Sequence, residues 1–260
     1  MAQSPVPRPA STVLAVRDAD AGFEVLMVRR NLNSDFVGGA YVFPGGAVEP
    51  GDGHLRRAVG PADPEFSALL DLPQGGRAYV VAALRELFEE AGLLVACDDA
   101  GEVRDLEPLA ASQLLEARRR LNAGEETLND LLDAAGLYLD LRGVAYLAHW
   151  VTPTGPPRRF DTRFFVLRAP SGQVARPDTT ETVDSVWLRP RDALAAHERG
   201  EYEMIFPTIR TLESVADCAS ADDVVTYARN QTGVVKTEPR LVNRDGVISV
   251  VLAGDDGYDD

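Results

Sequence analysis

The segment 77–93 constrains the fold of this chain more than any other stretch. Val80, Leu84, Leu87 and Ala91 recur at helical spacing, with Val81 and Phe88 beside them, and Gly92 follows as a C-terminal cap. The opposite face carries Glu86, Glu89 and Glu90 at i, i+3 and i+4. Like charges at that spacing repel by roughly 0.2–0.5 kcal/mol per pair. They also crowd the last turns of the helix, where its dipole disfavours anions. Arg85, four residues before Glu89, is the one nearby cation. Two readings fit: a solvated acidic face, or a set of oxygen ligands whose repulsion a hard divalent cation relieves. Upstream, the strand-like Tyr41-Val42-Phe43 runs into Pro44-Gly45-Gly46, a backbone that can approach a metal or phosphate closely.

Around this helix the pattern is that of a mixed α/β chain. Runs with strand character fall at 11–17, 23–30, 144–151, 159–168 and 182–188, and the turn-rich 18–22 predicts a hairpin between the first two. Helices are predicted near 64–72, 111–123, 125–135, 190–199, 205–216 and 222–230, with short β-like runs at 233–236 and 247–252. Residues 1–10 are Pro-rich and read as a loose arm, and residues from about 53 to 76 are polar, Gly/Pro-punctuated and read as an insertion. The main domain is then 11–216, and 217–260 is an extension ending in an acidic tail, whose part from Val234 to Asp260 packs on the core or on a second subunit, which leaves a homodimer open.

The 260 residues are 45% hydrophobic, enough for a sizeable core. A net charge of −15 argues against nonspecific binding to nucleic acid or an anionic membrane. The two cysteines, Cys97 and Cys218, cannot build a disulfide framework, and the start has no apolar leader region, so a cytoplasmic setting is expected. His54, His149 and His197 are dispersed without metal-ligand spacing. Arg118-Arg119-Arg120 reads most simply as a solvated helix face.

Residues 46–93 resemble the signature of the Nudix hydrolases, G-x5-E-x7-R-E-U-x-E-E-x-G-U, with U a bulky apolar residue. Arg85 to Leu93 matches every defined position of its second half. There are two departures: Asp52 stands where the family has Glu, and thirty-two residues separate Asp52 from Arg85 where the pattern has seven. The resemblance implies an α/β/α sandwich on a mixed sheet, with extra C-terminal helices, that hydrolyses a nucleoside diphosphate linked to another moiety. It also implies that Glu86, Glu89 and Glu90 hold Mg²⁺ or Mn²⁺, that the Gly45 carbonyl adds a ligand, and that Arg85 orients Glu89. One of the helix carboxylates or Glu181, in the loop before the strand ending near Trp187, is the candidate general base; the alternative for Glu181 is an ordinary loop carboxylate. A regulatory module that senses a nucleotide without cleaving it is the competing function, but such modules usually lose one or more of these glutamates.

Phe36 to Gly46, the long insertion, and Pro157 to Phe165 after Thr152-Pro153 resemble the peroxisomal coenzyme A diphosphatase branch of that family. Of the coenzyme A signature L-L-T-x-R-S-x3-R-x3-G-x-V-x-F-P-G-G, Arg30, Gly39, Phe43, Pro44, Gly45 and Gly46 fit, whereas Asn31, Asp35 and Tyr41 do not. The resemblance implies coenzyme A or an acyl derivative as substrate, with ADP-ribose and nicotinamide dinucleotides as alternatives. Arg158, Arg159 and Arg163 form the strongest cationic cluster, suited to a 3′-phosphate, with Gly45 and Gly46 also at the substrate. Strand alternation puts Arg159, Asp161 and Arg163 on one face and Phe160, Thr162 and Phe164 on the other, so a structural pairing of Asp161 with an arginine is equally consistent.

Overall fold

In the computed structural model, residues 5–32, 38–102, 108–244, 247–255 and 258 are described. Strand β1 (Arg8–Ala19) is the spine, because both of its faces are apolar. Val13 and Ala15 face one core and Leu14 and Val16 the other, all with no exposed surface. It pairs antiparallel with β2 (Gly22–Arg30) across the predicted hairpin, whose turn closes at Gly22 with φ 90°. Further strands are β3 (Tyr41–Val42), β4 (Gly45–Ala47), β5 (Ala58–Val59), β6 (Ala96–Cys97), β7 (Tyr138–Asp140), β8 (Ala145–Val151), β9 (Phe160–Arg168) and β10 (Thr182–Leu188). β1 runs parallel to β9, and with β11 (Lys236–Thr237) the large sheet has the order β10-β2-β1-β9-β8-β11, β3 pairing with β2 and β4 with β1. The parallel β1–β9 and β8–β11 pairs among antiparallel ones make the sheet mixed, as expected.

One face of the sheet is covered by α1 (Asp63–Leu69), α2 (Gly76–Ala91), α3 (Pro108–Asn122) and α4 (Leu128–Ala135). The other carries α5 (Pro190–Glu198), α6 (Phe206–Val215) and α7 (Ala221–Arg229), which bury Ala193, Leu212, Val215, Val224 and Val225 against Leu14, Val16 and Val25. Each fully buried Leu, Val or Phe contributes roughly 1.5–3 kcal/mol through removal from water. The result is an α/β/α sandwich. No helix among the described residues is long and apolar enough to cross a membrane.

Three sequence expectations need correction. The arm predicted over residues 1–10 ends earlier, because Arg8, Pro9 and Ala10 already belong to β1: the Arg8 amide donates to Arg159 O at 2.8 Å, and Pro9 O accepts from the Val48 amide at 3.0 Å. Residues 1–4 lie outside the described residues, as do Asp35, Phe36, Val37 and positions 256, 257, 259 and 260 of the acidic tail. The C-terminal β-run is centred on β11, later than 233–236, and a strand the sequence did not suggest, β12 (Arg240–Arg244), pairs antiparallel with β13 (Val247–Val251).

The third correction concerns the insertion, which is woven into the core. Leu55, Phe66 and Leu70 are buried with α2, and β5 joins β7 and β6 in a three-stranded sheet. Its main effect is on the start of α2, whose own N-cap position, Gly75 (φ 84°), has no side chain to offer. Asp63 accepts from the Gly75 and Arg77 amides, each at 2.9 Å, and Ser67 Oγ accepts from the Gly76 amide at 2.9 Å. Orphan amides of the catalytic-motif helix are thus satisfied from α1. The backbone bonds to Gly75 and Arg77 hold the Asp63 carboxyl below its ordinary pKa.

Replacing Asp63 by Ala is expected to cost about 1–2 kcal/mol, read as a lower urea midpoint. Gly76→Ala should cost more, roughly 3 kcal/mol, since its Cβ would lie 2.3 Å from Ser67 N and 2.4 Å from Phe66 C, backbone atoms that cannot swing aside. An unchanged midpoint in Gly76→Ala would show that α1 and α2 are not in close contact.

Candidate active site

Helix α2 spans most of the predicted 77–93 and stops at Gly92, whose φ of 73° and amide bond to Phe88 O (2.9 Å) form the expected left-handed cap. Its acidic face is not solvated: Glu86 is 9% exposed, Glu90 2% and Arg85 6%. The reading as a solvated face is therefore set aside, and the charges must be accounted for inside the protein.

Arg85 accounts for several of them. Its Nε and Nη2 bind Asp52 at 2.9 and 3.2 Å, Nη1 binds Glu86 at 2.9 Å and Glu89 at 2.7 Å, and Nη2 also reaches Ala47 O at 2.9 Å. Burial alone opposes the charge on Arg85, but Asp52, Glu86 and Glu89 outweigh it and hold its pKa above the ordinary value. The shorter Asp52 reaches Arg85 despite the thirty-two intervening residues, because it starts the short 3-10 turn Asp52–His54 beside α2. Its other contact, from the Glu49 amide at 2.7 Å, ties that turn to the segment after β4.

Glu90 faces the glycine turn. It accepts from the Gly45 amide at 3.0 Å and lies 3.9 Å from Arg30 Nη1. A Cβ on Gly46 would fall 2.3 Å from Glu86 Oε1, and one on Gly45 would fall 2.4 Å from Thr12 Oγ1. Glycine at both positions is what allows β4 to lie against both β1 and the carboxylates. Burial, with the neighbouring Glu89 and Glu181 charges, lifts the Glu86 carboxyl to about 7 in spite of Arg85. Burial and the Glu86 charge lift Glu90 well above the carboxylate range, and burial also raises Glu89.

Glu181 is brought to the same place by a fixed loop. The Asp178 carboxylate accepts from the Thr180, Glu181 and Thr182 amides, Thr182 Oγ1 donates to Glu90 O at 3.0 Å, and the Asn31 amide donates to Glu181 O at 2.8 Å. Thr179 sits at φ 71°, a strained value for a β-branched residue, and such strain gathers at functional loops.

Two clefts meet at this cluster. One, of about 1010 Å³, runs between α2, the insertion and α3–α4, and its walls include Asp52, Glu89, Glu90, Arg118 and Asn122. The other, of about 800 Å³, opens over the sheet and is walled by Arg8, Arg30, Arg158, Trp150, Phe160 and Phe206 among others. Glu86, Thr180 and Glu181 line both. Each cleft is large enough for part of a nucleotide conjugate.

The expected arginine cluster is not one site. Arg158 lines the second cleft, but Arg159 and Arg163 are buried on the opposite face of β9 from Phe160, Thr162 and Phe164. Arg163 bonds His149, lies 3.3 Å from Asp161 and sits over the Tyr79 ring, while Asp161 accepts from or bonds His149 Nε2 at 2.7 Å. Arg159 donates to Thr152 O, Pro5 O and Glu238 at 3.0, 3.1 and 2.5 Å. Strand alternation carried this outcome, since the phenylalanine face is the cleft face. Arg118 also departs from its expected solvated setting: it is buried and donates twice to Glu89 O, at 3.0 and 2.8 Å, satisfying a carbonyl near the C-terminal end of α2. A buried arginine on α3 was not legible, because its neighbours Arg119 and Arg120 look the same in sequence.

The fold is shared with known proteins. Residues 62–214 match the model of the NUDT19 Nudix domain. The chain is 27% identical to acyl-coenzyme A diphosphatase NUDT19 of Gallus gallus, over 91% of this chain and 73% of that protein. To the Homo sapiens protein of the same name it is 26% identical, over 91% and 72%. A crystal structure of a NUDIX hydrolase from Alicyclobacillus acidocaldarius superposes with a TM-score of 0.71 at 32% identity, covering 85% of this chain and 96% of that one.

The buried carboxyl gives a pH signature in the absence of divalent ions. With Glu86 at about 7 in the fold against an ordinary 4.5, the folded protein binds more protons between those values. The stability associated with its neutral form is therefore complete below about 4.5 and lost as pH rises through about 7. In chelator, the stability of the parent relative to Glu86→Gln is expected to fall between about pH 4.5 and about 7, by roughly 3 kcal/mol at most. A pH-independent difference in urea midpoints would mean that Glu86 stays ionised throughout.

Proposed function

The chain belongs to the Nudix hydrolases, enzymes that cleave diphosphate bonds, and from that premise we propose that it hydrolyses coenzyme A or an acyl-coenzyme A with the help of Mg²⁺ or Mn²⁺. The observation that carries this reading is the meeting of two clefts at Glu86 and Glu181. A diphosphate lying there has one arm of the conjugate in each cleft. The names of the NUDT19 relatives support the acyl-coenzyme A class.

The donor set fits a hard divalent cation. Glu86 and Glu90 are buried carboxyl oxygen donors, and the Glu86 charge raises the cost of ionising Glu90, a cost that a cation would relieve. Among the described residues no group of three His, Cys, Asp or Glu side chains converges as a ready cage, because Glu89 is turned onto Arg85. Glu86 and Glu90 would hold the cation, with Glu89 and the Gly45 carbonyl as further donors. When bound, the cation neutralises charge on the diphosphate and acidifies a water.

The other roles fall to the chain itself. Arg85 fixes Glu86 and Glu89 from one side, and the Gly45 amide fixes Glu90 from the other. Gly46 keeps the floor of the site open beside Glu86. Glu181, exposed and held at the mouth of both clefts, is positioned to take a proton from a water attacking phosphorus. Arg158, at the second cleft, is the arginine of the predicted cluster that can meet a 3′-phosphate.

Glu89→Gln and Glu90→Gln are each expected to lower kcat at least about 100-fold while the fold persists. Near-normal turnover at saturating metal in either would remove it from the ligand set. Mg²⁺ or Mn²⁺ should raise the melting temperature of the parent, and the rise should shrink in Glu86→Gln; equal rises would locate the cation elsewhere. Incubation with coenzyme A should yield 3′,5′-ADP and 4′-phosphopantetheine on chromatography. The preference for coenzyme A over 3′-dephospho-coenzyme A should drop about ten-fold in Arg158→Ala. Faster cleavage of ADP-ribose than of coenzyme A by the parent would overturn the substrate.

A further inference from the structure

The C-terminal segment reaches the second cleft, although it lies beyond the residues that match the family model. Pro239 and Val250 stand in its wall with Trp150, Phe160 and Phe206. The β12–β13 hairpin is a separate two-stranded sheet, and such hairpins are marginal unless something anchors them. Its connection to the large sheet is short: β11 pairs with β8 only at Lys236–His149 and Thr237–Trp150. A further anchor is Glu238, whose carboxylate meets buried Arg159 at 2.5 Å and whose carbonyl accepts from Tyr258 OH at 3.0 Å. The same guanidinium holds Pro5 O and Thr152 O, so one side chain ties together the N-terminal arm, the end of β8 and the C-terminal segment.

Trp150, on the cleft face of β8 opposite Thr162, has a buried Nε1 with no hydrogen-bond partner among the described residues. An indole N–H can only donate, so a ligand that carries a hydrogen-bond acceptor satisfies it. The walls supply aromatic rings, Trp150 and Phe206 meeting edge to face at 5.9 Å, and arginines at positions 8, 30 and 158. Flat rings to stack on, an unpaired donor and nearby cations suit a nucleobase with its phosphates better than an aliphatic chain.

We propose that the C-terminal hairpin is the outer wall of a base-binding cleft, and that the Arg159–Glu238 pair latches it there, so that the nucleoside end of the substrate occupies the sheet-side cleft and the leaving moiety the other. This rests on the diphosphate lying at Glu86 and Glu181. It assigns Arg159 a positioning role, acting through Glu238 and Pro239.

The test uses the full chain in a Trp187→Phe background, where Trp150 is the one remaining tryptophan, with ADP and 4′-phosphopantetheine as probes in chelator. ADP should quench Trp150 fluorescence and 4′-phosphopantetheine should not. Glu238→Ala, and independently Val250→Asp at a partly exposed wall position, should each raise the Kd for ADP five- to ten-fold. In turnover with coenzyme A both should raise KM by a similar factor and leave kcat within two-fold. Quenching by 4′-phosphopantetheine but not ADP, or an unchanged ADP Kd in both folded variants, overturns the inference. Because binding is read without hydrolysis, a parent that binds ADP at Trp150 but cleaves no conjugate would sink the proposed function alone, and one that cleaves coenzyme A with the hairpin indifferent would sink this inference alone.

Discussion

The structure depends on a cation with no exposure to speak of. Arg85 meets Asp52, Glu86, Glu89 and the Ala47 carbonyl, and so joins the end of β4, the start of the insertion and two successive turns of α2. A buried ion cluster adds little net stability over an apolar replacement, but removing one member leaves charges stranded at a cost of about 3–5 kcal/mol. The cluster is better understood as a geometric device. One guanidinium against Asp52, Glu86 and Glu89 leaves the cluster short of countercharge beside the meeting of the two clefts, and that shortage suits the place to a cation and a diphosphate.

Much of this was legible in the chain. The triplet Glu86, Glu89, Glu90 and the cap Gly92 lie on one short helix, so spacing alone gives their relation. The glycines at 45 and 46 and the alternation along β9 were equally local signals. What was not legible depends on contacts distant in sequence. Nothing in 53–76 announces that Asp63 and Ser67 complete the start of α2, because a cap is normally sought in the residue just before a helix. Arg118 and Arg159 are surrounded in sequence by arginines with different fates, and only packing separates them. β5, β6 and β11 are two residues each, too short for any periodicity to show.

The two arginines also show how charge near a cleft misleads when faces are not counted. Arg159 and Arg163 lie within a few residues of Arg158, yet β9 turns them into the body of the protein, where one anchors backbone segments and the other lies among His149, Asp161 and Tyr79. The ordinary alternation of a strand decides which cation can meet a ligand.

The way α2 begins has a consequence for the order in which the site assembles. Its cap comes from α1, a dozen residues away in sequence, so α1 and α2 form a unit of local contacts that closes quickly. The frame around it is the opposite: β1 pairs with β9 across some 150 residues, and β4 with its glycines is held on β1. The acidic helix is therefore ready before the floor it will face. Contact order alone then predicts that α1–α2 forms ahead of the β1–β9 pairing, an order that pulsed hydrogen exchange would read as protection of α2 amides ahead of those in β9. A helix that forms first leaves its carboxylates open to water until the glycine turn closes against them.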